Sequence, residues 1–168
     1  MPDSRELLTQ VARQDRDAFH RFYDAYADRV LRYALTLLRN RHLAEEVVQE
    51  TMLAVWNGAA GFTGRSRVST WVFGIARNQA YNLLRREKRG GRRPAEGFIL
   101  PDPSDGIHQE LRVLEALETL PEAQREVVFF TFYEGLSYAQ IAGILGVPEG
   151  TVKSRMYHAK KRLAKELR

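Results

Sequence analysis

The stretch SYAQIAGILGVPEGTVKSRMYHAKKRL, Ser137 to Leu163, decides how the C-terminal part of this chain folds. Its first half has the spacing of a short helix, its middle is a tight turn, and its second half is a longer basic helix. Two helices packed across so tight a turn need a small residue where they touch and a glycine where the chain reverses. Ala142 supplies the first and Gly146 the second, with Ile141, Leu145 and Val147 expected in the shared core. Pro148 suits the start of the second helix, because its missing N–H has no partner there in any case. Val152, Met156, Ala159 and Leu163 then form an apolar stripe, while Lys153, Ser154, Tyr157, His158 and Lys161 lie off it. A helix with an apolar back and a basic, hydrogen-bonding front fits the major groove of duplex DNA. The competing reading is a solvated amphipathic C-terminal helix. It leaves the small residue, the glycine and the sorted charges unexplained.

Outward from this stretch, the 168 residues suit one or two small domains. Apolar residues are 44% and charged residues 28%, with no run near the roughly 20 apolar residues of a membrane span. The start, MPDSRELLTQ, has neither the basic head nor the apolar core of a signal peptide, so a cytoplasmic chain without membrane insertion is expected. There is no cysteine, which excludes disulfides, zinc knuckles and thiol switches within the chain. The net charge of +5 is unevenly placed. Arg85 to Arg93 and Lys153 to Arg168 are strongly basic, whereas Ala44 to Glu50 is acidic. This suits a nucleic-acid partner but does not by itself require one.

Helical spacing runs through almost the whole chain and no alternating strand appears, so an all-α fold is expected. Phe19, Phe22, Tyr23, Tyr26, Val30, Tyr33, Leu37 and Leu38 suggest one long or slightly broken helix; Leu43, Val47, Val48, Met52, Val55 and Trp56 suggest a second. Gly58 to Ser69 carries three glycines and reads as a loop. A third helix is expected from about Thr70, as N-cap, to Arg89. Gly90 to Gly106 holds three prolines and four glycines and reads as a flexible linker, the alternative being a long loop within one domain. Pro121 and Gly135 suit the ends of a further helix. The expected architecture is therefore two small helical domains, residues 1–93 and 108–168, joined by a linker over residues 94–107. The second domain contains the helix-turn-helix.

The segment WVFGIARNQAYNLLRREKR interleaves aromatics, Asn78, Asn82 and a basic run, directly after a Gly- and Arg-containing loop. Such a surface suits single-stranded DNA, where each stacked base contributes roughly 1–3 kcal/mol against the few kcal/mol of unstacking it. Trp71, Phe73 and Ile75 equally suit an ordinary core, and spacing does not decide between the two.

Three strings taken together resemble bacterial RNA polymerase sigma factors of the extracytoplasmic-function (ECF) group: LAEEVVQETMLAVW, GFTGRSRVSTWVFGIARNQAYNLLRR, and LEALETLPEAQREVVFFTFYEGLSYAQIAGILGVPEGTVKSRMYHAKKRL. The resemblance spans about Asp17 to Leu163, with the parts in order. It implies a protein that binds RNA polymerase core, directs it to promoters and assists melting, without being an enzyme. It implies that Lys153, Ser154, Tyr157 and His158 face the minus-thirty-five element, with Arg155 toward phosphate. Arg65, Arg67, Trp71 and Asn78 become candidates for an unstacked minus-ten base. The helix bearing Glu46, Gln49, Glu50 and Leu53 becomes the part that docks on the clamp helices of the beta-prime subunit, and the beta flap is a further implied contact. An anti-sigma factor is an implied partner, through which any redox signal would enter. Glu46 stands where the family commonly has Asp, Thr63 and Val68 replace a basic residue and an aromatic, and Gly74 stands where a larger residue is usual.

Enzymatic readings find little support in the sequence. The four histidines, His20, His42, His108 and His158, form no metal-binding spacing, and no phosphate loop or nucleophile elbow is present. No cofactor or metal is expected. The remaining alternatives are a helix-turn-helix repressor or activator acting without polymerase, normally as a dimer, and an adaptor working through protein contacts alone.

Overall fold

The computed structural model describes residues 4–90 and 115–166, and among them every regular element is helical. The chain forms two compact units, Met1–Glu96 and Gly97–Arg168. The expected linker, residues 94–107, and the boundaries at either end of it lie outside the described residues.

The first unit holds α1 (Ser4–Ala12), α2 (Arg16–Leu38), α3 (Arg41–Gly58) and α4 (Val68–Arg89). The aromatic-rich segment is one unbroken helix of 23 residues. Asp15 caps it, its carboxylate accepting from the amides of Asp17 and Ala18 at 3.0 and 3.2 Å. At the other end Arg39 adopts a left-handed conformation, φ 53°, and Asn40 caps α3 by accepting from the Leu43 amide at 3.0 Å. Two residues thus stop one helix, start the next and fold α3 back along α2. Val30, Tyr33 and Leu38 of α2, Val47 and Val55 of α3, and Val72, Phe73 and Ala76 of α4 meet in the core. Tyr33 meets Phe73 edge-on, with ring centroids 5.8 Å apart.

Helix α1 was not apparent from the periodicity. Its nine residues are too few to hold a helix alone; burial of Leu7, Leu8 and Val11 holds it instead. Helix α4 begins at Val68, two residues before the expected Thr70 cap. Burying Val68, only 4% exposed, extends the helix backward. The Thr70 hydroxyl is buried without a hydrogen-bond partner rather than capping anything.

The second unit has helical residues at 115–118, then α5 (Glu122–Phe132), α6 (Tyr138–Leu145) and α7 (Glu149–Glu166). Pro121 and Gly135 flank α5 as expected, Gly135 with φ 61°. The Arg125 guanidinium, 8% exposed, donates to the carbonyls of Leu117, Glu118 and Leu120 at 3.0, 3.3 and 2.9 Å. It clasps the carbonyl end of the preceding turn, where the helix leaves its acceptors unpaired and its dipole favours a cation. Ser137 and Gln140 form a reciprocal capping box at the start of α6, with bonds of 2.8 and 3.1 Å. Gly146 ends α6 in the left-handed conformation, φ 67°, its amide bonding to the Ala142 carbonyl at 2.9 Å. Ile141, Ile144 and Leu145 pack with Val152, Met156 and Ala159 of α7. Val147 and Leu163, expected in this core, are only half-buried, and Ile144 takes the interior place. Pro148 immediately precedes the first residue of α7.

Two substitutions test this account of the second unit. Arg125→Ala removes a charged donor from three carbonyls and is expected to destabilise the unit by about 2–4 kcal/mol. Gly146→Ala is expected to cost about 1–2 kcal/mol through its positive φ alone. Both tryptophans lie in the first unit, so residue-resolved amide hydrogen exchange on the full chain is the suitable measurement. Unchanged protection across α5 to α7 in Arg125→Ala would contradict the clasp.

Candidate nucleic-acid interface

Burying Val152, Met156 and Ala159 fixes the rotation of α7. Lys153, Ser154, Tyr157 and His158 are consequently exposed on its other side, Tyr157 by 56%. Arg155 stands apart from these four, half-buried toward the flank of the helix. The rings of Tyr157 and His158 meet edge-on at 5.4 Å, and the Lys161 ammonium lies 4.9 Å from the Tyr157 ring centroid. Lys161, unassigned among the candidate contacts, therefore belongs to the same surface. Lys153 reaches Glu149 at 4.0 Å, an exposed pair of little energetic weight. This face thus presents cations, a hydroxyl, a phenol and an imidazole to solvent.

The second surface lies on α4 and the loop before it. Phe73 is fully buried, which places it in the core, while Trp71 and Ile75 are half-buried. The Phe62 ring packs against Trp71 with centroids 5.4 Å apart. Arg67 and Asn78 are exposed on the line of α4 that includes Trp71; Arg65 is exposed in the loop itself. That loop is tethered from an unforeseen direction: Arg5 of α1 donates to the Gly64 carbonyl at 2.9 Å, at the residue where φ is 77°. Further along α4, Arg77 lies over the Tyr81 ring at 4.5 Å and Arg85 bonds to Asn82.

The third surface is on α3. Gln49, Glu50 and Leu53 are exposed, Leu53 by 53%, opposite the buried Val48, Met52 and Val55. Glu46 is half-buried and pairs with Arg86 of α4 at 3.0 Å. That ion pair joins residues 40 apart in sequence, as the Arg5–Gly64 bond joins residues 59 apart, and no local pattern announces either. The capping box did carry a signal, the S-x-x-Q spacing at Ser137. Among the described residues no cluster of potential metal ligands occurs, and no helix is long and apolar enough to cross a membrane.

Comparison with known proteins agrees with this arrangement of helices. Residues 22–90 match sigma-70 region 2, and residues 110–163 match sigma-70 region 4. The chain is 35% identical over 160 residues to an ECF RNA polymerase sigma factor SigK of Mycolicibacterium vanbaalenii, covering 89% of this chain and 82% of the relative. It is 31% identical over 167 residues to the SigK of Mycobacterium ulcerans, covering 94% and 89%. Among solved structures, the sigma factor RpoE of Bartonella quintana, in complex with the anti-sigma factor NepR, is 29% identical with a TM-score of 0.74, covering 84% of this chain and 91% of that one. CnrH, solved with the cytosolic domain of CnrY, shares the fold at 24% identity and a TM-score of 0.75, covering 98% and 96%. With a region-2 match, a region-4 match and relatives matched over most of their length, the chain belongs to the ECF RNA polymerase sigma factors, alternative subunits that direct the polymerase to promoters and initiate transcription there.

Proposed function

We propose that the two units divide promoter recognition, with residues 1–93 serving the polymerase and the minus-ten element and residues 108–168 the minus-thirty-five element. The observation that carries this reading is the exposed face of α7. Lys153, Ser154, Tyr157 and His158 stand together there over a buried apolar back. They read base edges in the major groove, while Arg155 on the flank holds a phosphate. On the first unit, Arg65, Arg67, Trp71 and Asn78 receive an unstacked base of the minus-ten element. Trp71, braced by Phe62, offers a fixed ring, which lowers the ordering cost of stacking.

Helix α3 docks on the clamp helices of the beta-prime subunit through Gln49, Glu50 and Leu53, with Glu46 oriented by Arg86. An exposed leucine among acids suits a protein partner better than it suits DNA. The second unit engages the beta flap. The protein acts in the cytoplasm as a non-catalytic subunit, without cofactor. An anti-sigma factor occludes these faces, a partnership supported by the complex of the Bartonella quintana relative with NepR.

Run-off transcription from genomic fragments, with core polymerase and this protein each added or omitted, tests the assignment. Discrete transcripts requiring both components are expected, and their upstream sequences define both promoter elements. No transcripts, together with specific duplex shifts by the protein alone, would instead indicate a polymerase-independent regulator. On a mapped promoter, Tyr157→Ala and His158→Ala are each expected to weaken duplex affinity by about 10- to 100-fold, the worth of a specific base contact. Arg155→Ala should weaken all sequences about equally and flatten the salt dependence. Because Leu53 is exposed, Leu53→Arg should leave the helical content unchanged yet reduce core-polymerase affinity at least about tenfold.

A further inference from the structure

Ser4 and Arg5 open α1, ahead of residues 22–90, the segment that matches sigma-70 region 2. The place is an unfavourable one for Arg5, because the positive end of a helix dipole repels a cation in the first turn. Its side chain is exposed and adds nothing to the buried face of Leu7, Leu8 and Val11 that docks the helix. It reaches instead to the loop before α4, donating to the Gly64 carbonyl at 2.9 Å between residues 59 apart in sequence.

That loop lacks the usual means of holding one shape. Ala59 and Val68 are buried at its two ends, but residues 60–67 include no buried side chain. Its bonds from the Phe62 amide to the Ala59 carbonyl, 3.2 Å, and from the Ser66 hydroxyl to the Arg67 carbonyl, 3.3 Å, are local and do not orient it against the fold. Phe62 against Trp71 steadies the side nearer α4. Gly64, in the middle, takes a left-handed backbone with φ 77°, which glycine adopts with little strain, and Arg5 grips it there. The other end of the link is firm. Tyr26, 2% exposed and stacked on Phe22 with ring centroids 4.6 Å apart, donates to the Ser4 hydroxyl at 3.1 Å. Contacts therefore run from the core through Ser4 and Arg5 to Gly64, the immediate neighbour of Arg65.

We propose that Arg5 is a positioning residue for the minus-ten contact. By holding Gly64 it keeps residues 61–67 in one conformation, with Arg65 and Arg67 placed before the strand arrives. The inference rests on the minus-ten reading of this loop and gives α1, which has no part in that reading, a share in it. A loop ordered only on binding subtracts its ordering cost from affinity; one ordered beforehand does not.

Arg5→Ala tests this on the full chain and in reconstituted holoenzyme. Backbone amide order parameters from NMR relaxation of the full chain should lie near about 0.85 at residues 63–66 and fall below about 0.6 in the variant, with α4 unchanged. In holoenzyme, binding to a forked DNA whose non-template minus-ten strand is unpaired, taken from a run-off-mapped promoter, should weaken about threefold to tenfold. Core-polymerase affinity and binding to the duplex minus-thirty-five fragment should stay as they were. The slope of log affinity against log salt should also be unchanged. A slope lowered by about 1 would mean that Arg5 itself holds a phosphate, and would overturn the positioning role. Order parameters that do not move overturn it as well, since the loop then needs no hold from α1. A loosened loop with undiminished forked-DNA binding overturns it too, and Arg65→Ala combined with Arg67→Ala then decides the wider reading. If that double variant binds forked DNA weakly, the minus-ten surface stands without Arg5; if it binds normally, both fall.

Discussion

Phe73, wholly buried and edge-on to Tyr33, sets the rotation of α4 about its own axis. A helix has one angular degree of freedom once its axis is packed, and a large ring locked in the core removes it. Everything proposed for the outer side of α4 depends on that lock. With Phe73 inside, Trp71 can be only partly inside, and Gly74 and Asn78 are turned away from the core. Rotation of the helix by one residue would bury an asparagine and expose a phenylalanine, at a cost of several kcal/mol. The loop preceding α4 is held from two sides, by Phe62 against Trp71 and by Arg5 at the Gly64 carbonyl. The proposed receiving surface for an unpaired base is thus braced before any DNA arrives, which lessens the ordering cost of binding.

The second unit reaches the same end by different means. Its helices are shorter, so end effects weigh more. Arg125 neutralises the carbonyl end of one turn, the Ser137–Gln140 box satisfies the amides of α6, and Gly146 absorbs the reversal before α7. These polar devices leave the apolar residues free to define a single packing of α6 on α7. The basic front of α7 follows from that packing rather than from any contact among the basic residues themselves.

Legibility from sequence differed by the range of the interaction. The turn at Gly146 was readable because a positive φ in an otherwise helical stretch admits few residues other than glycine. The stripe from Val152 to Ala159 was readable because helical periodicity is local. Helix α1 was not, since nine residues with three buried apolar positions carry too little pattern and owe their helicity to docking. The expected Thr70 cap gave way to the burial of Val68, an instance of packing outweighing a capping preference.

The sequence by itself determined the helical class and the helix-turn-helix, because each rests on residues within a few turns of one another, and the sorted charge and the resemblance to ECF sigma factors, because each is read from the order of residues along the chain and needs no contact between distant ones. Only the tertiary structure decided between Phe73 as core and Trp71 as a braced surface ring, two positions apart in the chain and on different sides of one helix. It alone paired Glu46 with Arg86 and Gly64 with Arg5. Those facts depend on which distant helices meet. Local periodicity states which face of a helix is apolar, but not what another helix brings to the face opposite.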